Sequence, residues 1–365
     1  MSVFKIDSWP PRIVFMGTPE FAAPIMAAIA EKICLPLLAV SQPDRPKGRG
    51  RNTLEPTPIK RLAQKLGVPV IQPSRIKTGE FLSSLRDLSP DVIVVAAYGR
   101  ILTEAHLAVP RFGCVNVHAS LLPAYRGAAP INWALINGET RTGVTVQRMT
   151  VALDAGEVLY VKETGIGPDE TAGELYGRLS LLGAQAIVEF FKQARAGIEA
   201  RPQDESKVSF APVLEKSDGV IDWSAPAKAI HNRVRGVNPW PGGQAVLEGA
   251  MIKVHRTRMP ANPIEVLPGT RPGTVLAVGR DSITVATGRG ALDLLELQAE
   301  GGKRLPAADF ARGKRLKPGV RFGREEPPEP TLPATGTDDG KAHPVGYPDE
   351  RPSGTGHGPK APSAR

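Results

Sequence analysis

The spacing of apolar residues divides the chain into two halves of different texture. In the first half, short apolar runs alternate with segments whose apolar residues recur every three or four positions, as on one helix face. The predicted strands are Arg12–Met16, Leu35–Val40, Val68–Ile71, Asp91–Ala97 and Gly113–His118, and the predicted helices are Glu20–Lys32, Thr57–Leu66 and Thr171–Ala196. Since strands that alternate with helices pair in parallel through right-handed crossovers, this half is predicted to be an α/β domain with a Rossmann-like, mostly parallel sheet. The runs Gly143–Met149 and Gly156–Val161 leave no room for a helix between them and predict an antiparallel pair.

The second half contains more glycine and proline, and its apolar runs are shorter. The predicted strands there are Ala250–Val254, Gly273–Val278, Ser282–Ala286 and Leu292–Leu297. Such a rhythm is typical of a small, OB-like β-barrel. From Gly323 onward, nine prolines and seven glycines with few apolar residues predict a disordered tail. The predicted boundaries are an N-terminal extension (1–10), the α/β domain (11–205), a linker (206–216), the barrel (217–322) and the tail (323–365).

Composition narrows the class of protein. Hydrophobic residues make up 41% and charged residues 23% of the 365 positions, which is typical of a soluble globular protein. No apolar run reaches the roughly 20 residues of a membrane helix, the first residues lack the apolar core of a secretory signal, and two cysteines do not indicate a disulfide framework. We therefore expect a cytoplasmic monomer with no membrane partner. The net charge of +9 suits a polyanionic partner, although ordinary solubility explains it equally well.

Candidate chemistry is concentrated between Cys114 and Pro130. Asn116 and His118 lie two positions apart on a predicted strand, so both side chains point to one face. They end that strand at the carboxyl edge of the sheet, where open α/β sheets place their sites. A histidine at a strand end is often only a hydrogen-bonded structural residue, but the neighbouring asparagine and the turn-rich loop that follows favour a functional role. An amide and an imidazole can stabilise an oxyanion, and a carboxylate beside the imidazole can orient it and transfer protons.

Three motifs carry a resemblance to a known family. The letters HASLLP from His118, RGAAPI from Arg126 and LDAG from Leu153 resemble the signature of folate-dependent formyltransferases. The resemblance implies 10-formyltetrahydrofolate as co-substrate and an amine as formyl acceptor. The residues it implies are Asn116, His118 and Asp154 for catalysis and Ser120, Leu121, Leu122 and Pro123 for contact with the folate. No metal is expected, because the histidines are scattered and no metal-ligand spacing occurs.

A basic loop, Ser41–Arg51, follows the second predicted strand. By itself a loop of this composition is usually a solvated connection. It resembles the loop that family members acting on methionyl-tRNA insert into the acceptor stem of initiator tRNA. The resemblance implies that Arg45, Lys47, Arg49 and Arg51 bind tRNA, and that Arg49 probes the first base pair. The glycines on either side of Arg49 allow a close approach of the backbone.

The opening of the second domain also resembles that family, at Ile221–Ser224 and Val237–Gly242. We interpret Trp223 and Trp240 within these landmarks as core anchors rather than platforms for bases. A basic bias suited to phosphates follows from Lys253, Arg256, Arg258, Lys303, Arg304, Arg312, Lys314, Arg315 and Lys317.

The sequence thus predicts transfer of a formyl group to methionyl initiator tRNA, and alternatives stay open. A formyltransferase acting on an amino sugar nucleotide would share the three catalytic residues but would not need the basic loop. A non-catalytic tRNA-binding protein would have no use for those three residues. An oxidoreductase is disfavoured, because the turn Gly17–Phe21 lacks the repeated glycines of a dinucleotide-binding loop.

Overall fold

The computed structural model describes residues 2–47 and 53–323. Up to residue 200 the elements are, in order, β1 (Ser2–Phe4), β2 (Ile13–Gly17), α1 (Ala22–Lys32), β3 (Leu38–Val40), β4 (Arg45–Lys47), β5 (Thr53–Glu55), α2 (Pro58–Leu66), β6 (Val70–Ile71), α3 (Gly79–Asp87), β7 (Val92–Ala96), α4 (Glu104–Leu107), β8 (Cys114–His118), β9 (Arg126–Gly127), α5 (Pro130–Ile136), β10 (Arg141–Arg148), β11 (Val158–Gly165), α6 (Ala172–Ala196) and β12 (Ile198–Ala200). They are followed by β13 (Phe210–Ala211), α7 (Ala227–Gly236), β14 (Gly243–Leu247), β15 (Ala250–Arg258), β16 (Val275–Val278), β17 (Ile283–Ala286), β18 (Ala291–Ala299), β19 (Arg304–Pro306) and α8 (Ala307–Lys314). None of the helices in the described ranges is long and apolar enough to cross a membrane.

A seven-stranded sheet forms the centre of the first domain, with the strand order β11-β10-β8-β7-β2-β3-β6. The five strands from β8 to β6 pair in parallel, and β10 pairs antiparallel with both β8 and β11. The mostly parallel sheet and the antiparallel pair at its edge are therefore confirmed. The strands β2 and β7 are buried along their whole length, as expected of strands covered by helices on both faces.

Packing of the long helix α6 determines which way the side chains of β8 face. A Cβ atom at Gly183 of α6 would lie 3.3 Å from Val117 and 3.1 Å from Ile25, so glycine permits this close approach to β8 and α1. Val117 therefore points into the core beneath α6. Since side chains alternate along a strand, Asn116 and His118 point to the opposite face.

The first residues of the chain pack against the α/β domain. Strand β1 pairs antiparallel with β12, with Phe4 opposite Ile198. Phe4 is buried and its ring lies 5.5 Å from that of Phe190 in α6. The segment predicted as an N-terminal extension is thus tied to the domain by backbone pairing and by burial of apolar area.

The second domain is an antiparallel β structure, as predicted, with the strand order β14-β15-β18-β17-β16 and β19 beside β18. Its two edges, β14 and β16, are joined by the last described residues, since Phe322 bridges Leu247 and Arg321 bridges Thr274. Phe322 is fully buried against Trp223, at 5.7 Å between rings. These bridges close the sheet into a barrel. The predicted tail lies outside the described residues except for Gly323, whose N–H donates to the carbonyl oxygen of Val246 at 2.8 Å.

Candidate active site

The strand β8 ends at a cavity of about 1260 Å³ on the carboxyl edge of the sheet. Asn116, His118 and Asp154 all line this cavity, so the structure brings the three predicted catalytic residues together. Pro19 and Phe21, from the turn after β2, line it as well. The site thus forms where parallel strands end and their loops meet, as is usual for open α/β sheets.

The imidazole of His118 is held in one orientation. It is 6% exposed, and its Nε2 lies 2.9 Å from the carbonyl oxygen of Tyr125. Because a carbonyl can only accept, Nε2 carries a hydrogen, and in the neutral ring Nδ1 is left with a free lone pair. Nδ1 lies 3.6 Å from Oδ2 of Asp154. The nitrogen available for proton transfer therefore faces the carboxylate and the cavity.

The carboxylate of Asp154 is fixed by donors from three elements. Its Oδ2 accepts from the backbone N–H of Gly127 at 2.9 Å, and its Oδ1 accepts from the amides of Gln147 at 2.8 Å and Asn116 at 3.3 Å. The backbone of Asp154 is in the left-handed region, with φ of +50°. Two positions later a side chain at Gly156 would lie 1.7 Å from the carbonyl oxygen of Arg148, so this turn requires glycine there.

Sequence reasoning missed three residues that support this carboxylate. Gln147 lies directly opposite Asn116 in the pairing of β10 with β8 and is 1% exposed. Gln203, in the polar segment before the predicted linker, donates from Nε2 to the carbonyl oxygens of Asp154 at 2.8 Å and Gly156 at 2.7 Å. Arg126, 5% exposed, donates from Nη2 to Oε1 of Gln203 at 2.8 Å. Only Arg126 carried a signal, since it begins the RGAAPI motif.

The predicted linker runs along the loop that carries these groups. Its strand β13 pairs in parallel with β9, placing Phe210 opposite Arg126 and Ala211 opposite Gly127. A side chain at Gly127 would come within 2.7 Å of the carbonyl oxygen of Ala211, and Gly127 has φ of +121°. The position of the Gly127 N–H, which donates to Asp154, is therefore set by this pairing.

The predicted folate residues Ser120–Pro123 are buried or half-buried in the loop that follows β8. The Ser120 hydroxyl donates to the carbonyl oxygen of Ala124 at 2.6 Å, and the backbone N–H of Leu122 donates to Thr145 at 3.1 Å. Among the described residues that line the cavity, none of the four is found. Their hydrogen bonds shape the loop that brings the Tyr125 carbonyl to His118, and their contact with folate stays a prediction.

Other walls of the cavity come from segments that sequence reasoning passed over. These are residues 75–78 before α3 and residues 97–101 after β7. Three basic side chains, Arg75, Lys77 and Arg100, line the cavity beside apolar ones such as Ile101 and Met149. The buried Nε of Arg100 has no hydrogen-bond partner within the described part of the chain. The cavity thus combines apolar walls with cationic groups suited to an anionic ligand.

The base of the predicted tRNA loop is anchored beside this cavity. Strands β4 and β5 form a hairpin, and the Gln42 amide preceding it donates to the carbonyl oxygen of Tyr98 at 2.8 Å. Arg45 donates to Oε1 of Gln42 at 3.1 Å. Hydrogen bonds from Gln72 and Lys60 lower the pKa of Asp44 below its usual value. The hairpin starts at the carboxyl edge of the sheet, because it follows the parallel strand β3, whereas the Lys47 side chain, Arg49 and Arg51 lie outside the described residues.

A second, apolar pocket of about 610 Å³ adjoins the cavity, and we call it the annex. It shares Ala128, Ala129, Ile131, Asn132 and Tyr176 with the cavity and extends to Val213, Leu214, Pro239 and Trp240. The interpretation of Trp240 as a core anchor is wrong, because 52% of this residue is exposed at the edge of the annex. Trp223 does pack in the barrel core and is 6% exposed. The two tryptophans differ because only Trp223 has the barrel core beside it.

Comparisons with known proteins show which family the chain resembles. A family model described as formyl transferase matches residues 11–191, and one described as formyl transferase, C-terminal domain, matches residues 213–315. The methionyl-tRNA formyltransferase of Citrifermentans bemidjiense is 48% identical over 86% of this chain and 97% of its own length. That of Geobacter metallireducens is 47% identical over 85% and 98%, respectively. The crystal structure of an N-formyltransferase from Helicobacter canadensis superimposes with a TM-score of 0.59 at 14% identity, over 78% of this chain and 98% of that one, which shows the shared fold.

The fold and the two family matches therefore define a formyl transferase. The chain belongs to the methionyl-tRNA formyltransferase family. Its alignment with the relatives from the two named bacteria covers almost their whole length.

Proposed function

We propose that this enzyme transfers the formyl group of 10-formyltetrahydrofolate to the α-amino group of methionyl initiator tRNA. The observation that carries the proposal is the convergence of Asn116, His118 and Asp154 on one cavity, in a chain whose relatives are named for this acceptor. The geometry supports acyl transfer, because it offers an amide donor for an oxyanion and a proton-transferring pair. The relatives then supply the identity of the acceptor.

The residues that would bind the folate fit its chemistry. The cavity of about 1260 Å³ exceeds the roughly 300–1000 Å³ typical of small-molecule sites, so two reactants fit together. Its apolar walls suit an aromatic ring system. Arg75, Lys77 and Arg100 suit the carboxylates of a glutamyl tail, and the unpartnered Nε of Arg100 is one donor available for them among the described residues.

In the proposed reaction the amine nitrogen bonds to the formyl carbon while the bond from that carbon to N10 of the folate breaks. Negative charge develops on the formyl oxygen, and the Asn116 amide donates to it. One proton leaves the amine and one reaches N10. Nδ1 of His118 accepts the first and returns the second, and Asp154 stabilises the imidazolium in between. An α-amino group titrates near pH 8, so a base of modest strength is sufficient.

The acceptor end of the tRNA is proposed to reach the cavity through the annex. The methionyl group is esterified to the terminal ribose, so the last nucleoside must lie next to the cavity when the amine lies at His118. The annex is apolar, adjoins the cavity and is lined by both domains, with Trp240 exposed at its edge. Aromatic side chains of this kind bind unstacked bases. The basic loop would contact the acceptor stem, with Arg49 at its first base pair.

One assay tests the proposal against its rival. The protein is incubated with 10-formyltetrahydrofolate and, in parallel, with methionyl initiator tRNA, methionyl elongator tRNA and an amino sugar nucleotide. Formyl-methionine on the initiator tRNA is the expected product. Formylation of the sugar nucleotide with none on either tRNA would overturn the proposal.

The role of Arg49 needs its own test. Arg49→Ala is expected to reduce the rate on initiator tRNA about tenfold, since one good base-reading contact is worth roughly 1–3 kcal/mol. A second experiment uses an initiator tRNA in which the first base pair of the acceptor stem has been changed to a Watson–Crick pair. If the variant prefers the natural initiator as strongly as the wild type does, Arg49 does not read that pair.

A further inference from the structure

We propose that Gln203 is a positioning residue that holds the Asp154 turn in its reactive geometry from the segment joining the two domains. The catalytic role of Asp154, which this contact would support, rests on the proposed function. Gln203 does not line the cavity and acts through the backbone of the turn, at the carbonyl groups of Asp154 and Gly156. It is separated from Asp154 by 49 positions in the sequence.

Apolar packing contributes little to this turn, so hydrogen bonds to its backbone and to the Asp154 carboxylate must hold it. Asp154 adopts φ of +50°, a conformation that a non-glycine residue keeps only when its surroundings impose it. The preceding residues Val151 and Leu153 are 64% and 61% exposed, so apolar burial does not fix the turn. Its carbonyl groups at Asp154 and Gly156 both accept from the one amide of Gln203.

Glutamine is the residue type that this position requires. Arg126 can only donate, and its Nε and Nη2 lie 3.0 Å and 2.8 Å from Oε1 of Gln203, so the amide oxygen must face Arg126. Its NH₂ group therefore faces the turn, where it donates to the two carbonyl oxygens and also lies 3.3 Å from Oε1 of Gln147. A glutamate would keep the contact with Arg126 but would turn an acceptor towards two acceptors.

The backbone and the carboxylate of Asp154 are then held by two linked contacts. Gln203 fixes the backbone of Asp154, and the Gly127 N–H binds its Oδ2 at 2.9 Å. Arg126, the residue before Gly127, binds Gln203 and also Glu205 of the same segment, at 2.8 Å from Nη2. We infer that this segment keeps Oδ2 of Asp154 facing Nδ1 of His118.

The test compares two substitutions that remove the same donors. Gln203→Glu retains an acceptor for Arg126, and Gln203→Met does not, but both lose the N–H groups that hold the turn. Both are expected to lower kcat about ten- to a hundredfold, the scale seen when groups that orient metal ligands are removed, with KM for tRNA within about twofold. Lys207→Gln is the control: Lys207 lies in the same segment, its side chain is 75% exposed and its ion pair is with Asp204, so kcat should stay within about twofold. An unchanged kcat in Gln203→Glu would overturn the proposal. If kcat then fell only in Gln203→Met, the effect would come from the lost acceptor for Arg126 rather than from the turn.

A second readout does not depend on the substrate. Hydrogen exchange of the Gly127 amide, whose acceptor is Asp154, is expected to become several-fold faster in both variants. The Ala128 amide, which donates to the carbonyl oxygen of Ala211, should keep its wild-type rate. Equal acceleration of both amides would show general loosening of the loop and would overturn a positioning role. If the wild type formed no formyl-methionine, the proposed function would fail, and the exchange result would still decide whether Gln203 positions Asp154.

Discussion

Charged and polar side chains are held in different ways at the carboxyl edge of the sheet and on the surface of the barrel. At the carboxyl edge of the sheet, His118, Gln147 and Arg126 are each nearly buried and hydrogen-bonded to fixed partners. On the barrel, Arg256, Arg304 and Arg312 are 41%, 42% and 77% exposed and pair with nearby acids. Removing one member of a buried hydrogen-bonded pair leaves the other unsatisfied, whereas exposed ion pairs contribute little individually. The side chains at the sheet edge are therefore held at defined positions, whereas those on the barrel surface leave their charge exposed to solvent.

Substitutions at the sheet edge should give the largest effect. His118→Ala and Asn116→Ala are each expected to lower kcat roughly a hundredfold or more, since they remove a proton-transferring group and an oxyanion donor. Arg304→Ala on the barrel should change kcat by less than about twofold, because its ion pair with Glu296 lies at the surface. The measurement is single-turnover transfer at saturating substrates. Near-normal rates in a folded His118→Ala protein would remove the catalytic assignment.

The sequence predicted the sheet, the antiparallel pair and the grouping of Asn116, His118 and Asp154, because each depends on local periodicity or on a motif. The barrel itself was predicted, but the segment that closes it was not predictable in this way. Closure depends on pairing of Phe322 with Leu247, far apart in the chain, and on a segment without strand-like alternation. Helix α7 was also missed, since its buried face includes the polar residues His231, Asn232 and Arg235.

The supporting residues of the site escaped prediction for a related reason. Gln203 lies in a polar segment just before the predicted linker, and its proposed role comes from contact with a distant turn. Trp240 was misjudged because a tryptophan in a proline-rich landmark has the same pattern whether it is buried or exposed. Tertiary contacts decide such positions, and one sequence does not display them.

Barrel closure gives the next largest expected effect, this time on stability. A chain that stops after Gly323 should keep its melting temperature and activity, because the residues that bridge the barrel edges remain. A chain that stops after Gly319 loses Phe322, and burial of one such phenylalanine is worth about 3–5 kcal/mol. Thermal unfolding of both proteins measures the difference. Equal melting temperatures would show that the last residues do not close the barrel in solution.

Trp240 should affect binding rather than chemistry. Trp240→Ala is expected to raise KM for methionyl-tRNA about tenfold with little change in kcat, because stacking of one base is worth roughly 1–3 kcal/mol. Trp240→Phe keeps an aromatic face and serves as the matched control, with most of the affinity retained. The steady-state KM for the formyl donor should be unaffected in both. A fall in kcat without a change in the tRNA KM would contradict the proposed path through the annex.

The smallest expected effect concerns the joint between the domains, where His231 of α7 is 1% exposed. Its Nε2 lies 2.9 Å from the carbonyl oxygen of Pro168, and its Nδ1 lies 2.9 Å from Oγ1 of Thr257. Burial lowers the pKa of His231 below the ordinary value of 6.5, although the hydrogen bond to Pro168 and the charge of Asp169 oppose this.

Because the folded-state pKa is the lower one, the unfolded chain takes up the proton first as the pH falls. The contribution of neutral His231 to stability is thus fully present above about pH 6.5. It is lost as the pH falls below that value, by at most about 1.4 kcal/mol per pH unit, until the folded pKa is crossed.

His231→Gln, which does not titrate, should therefore show a shallower decline of the unfolding free energy between about pH 7 and pH 5. Denaturant titrations of both proteins across this range provide the measurement. His255, whose pKa burial also lowers, is present in both proteins, so its contribution cancels in the difference. Parallel declines in the two proteins would show that the joint between the domains does not carry this acid sensitivity.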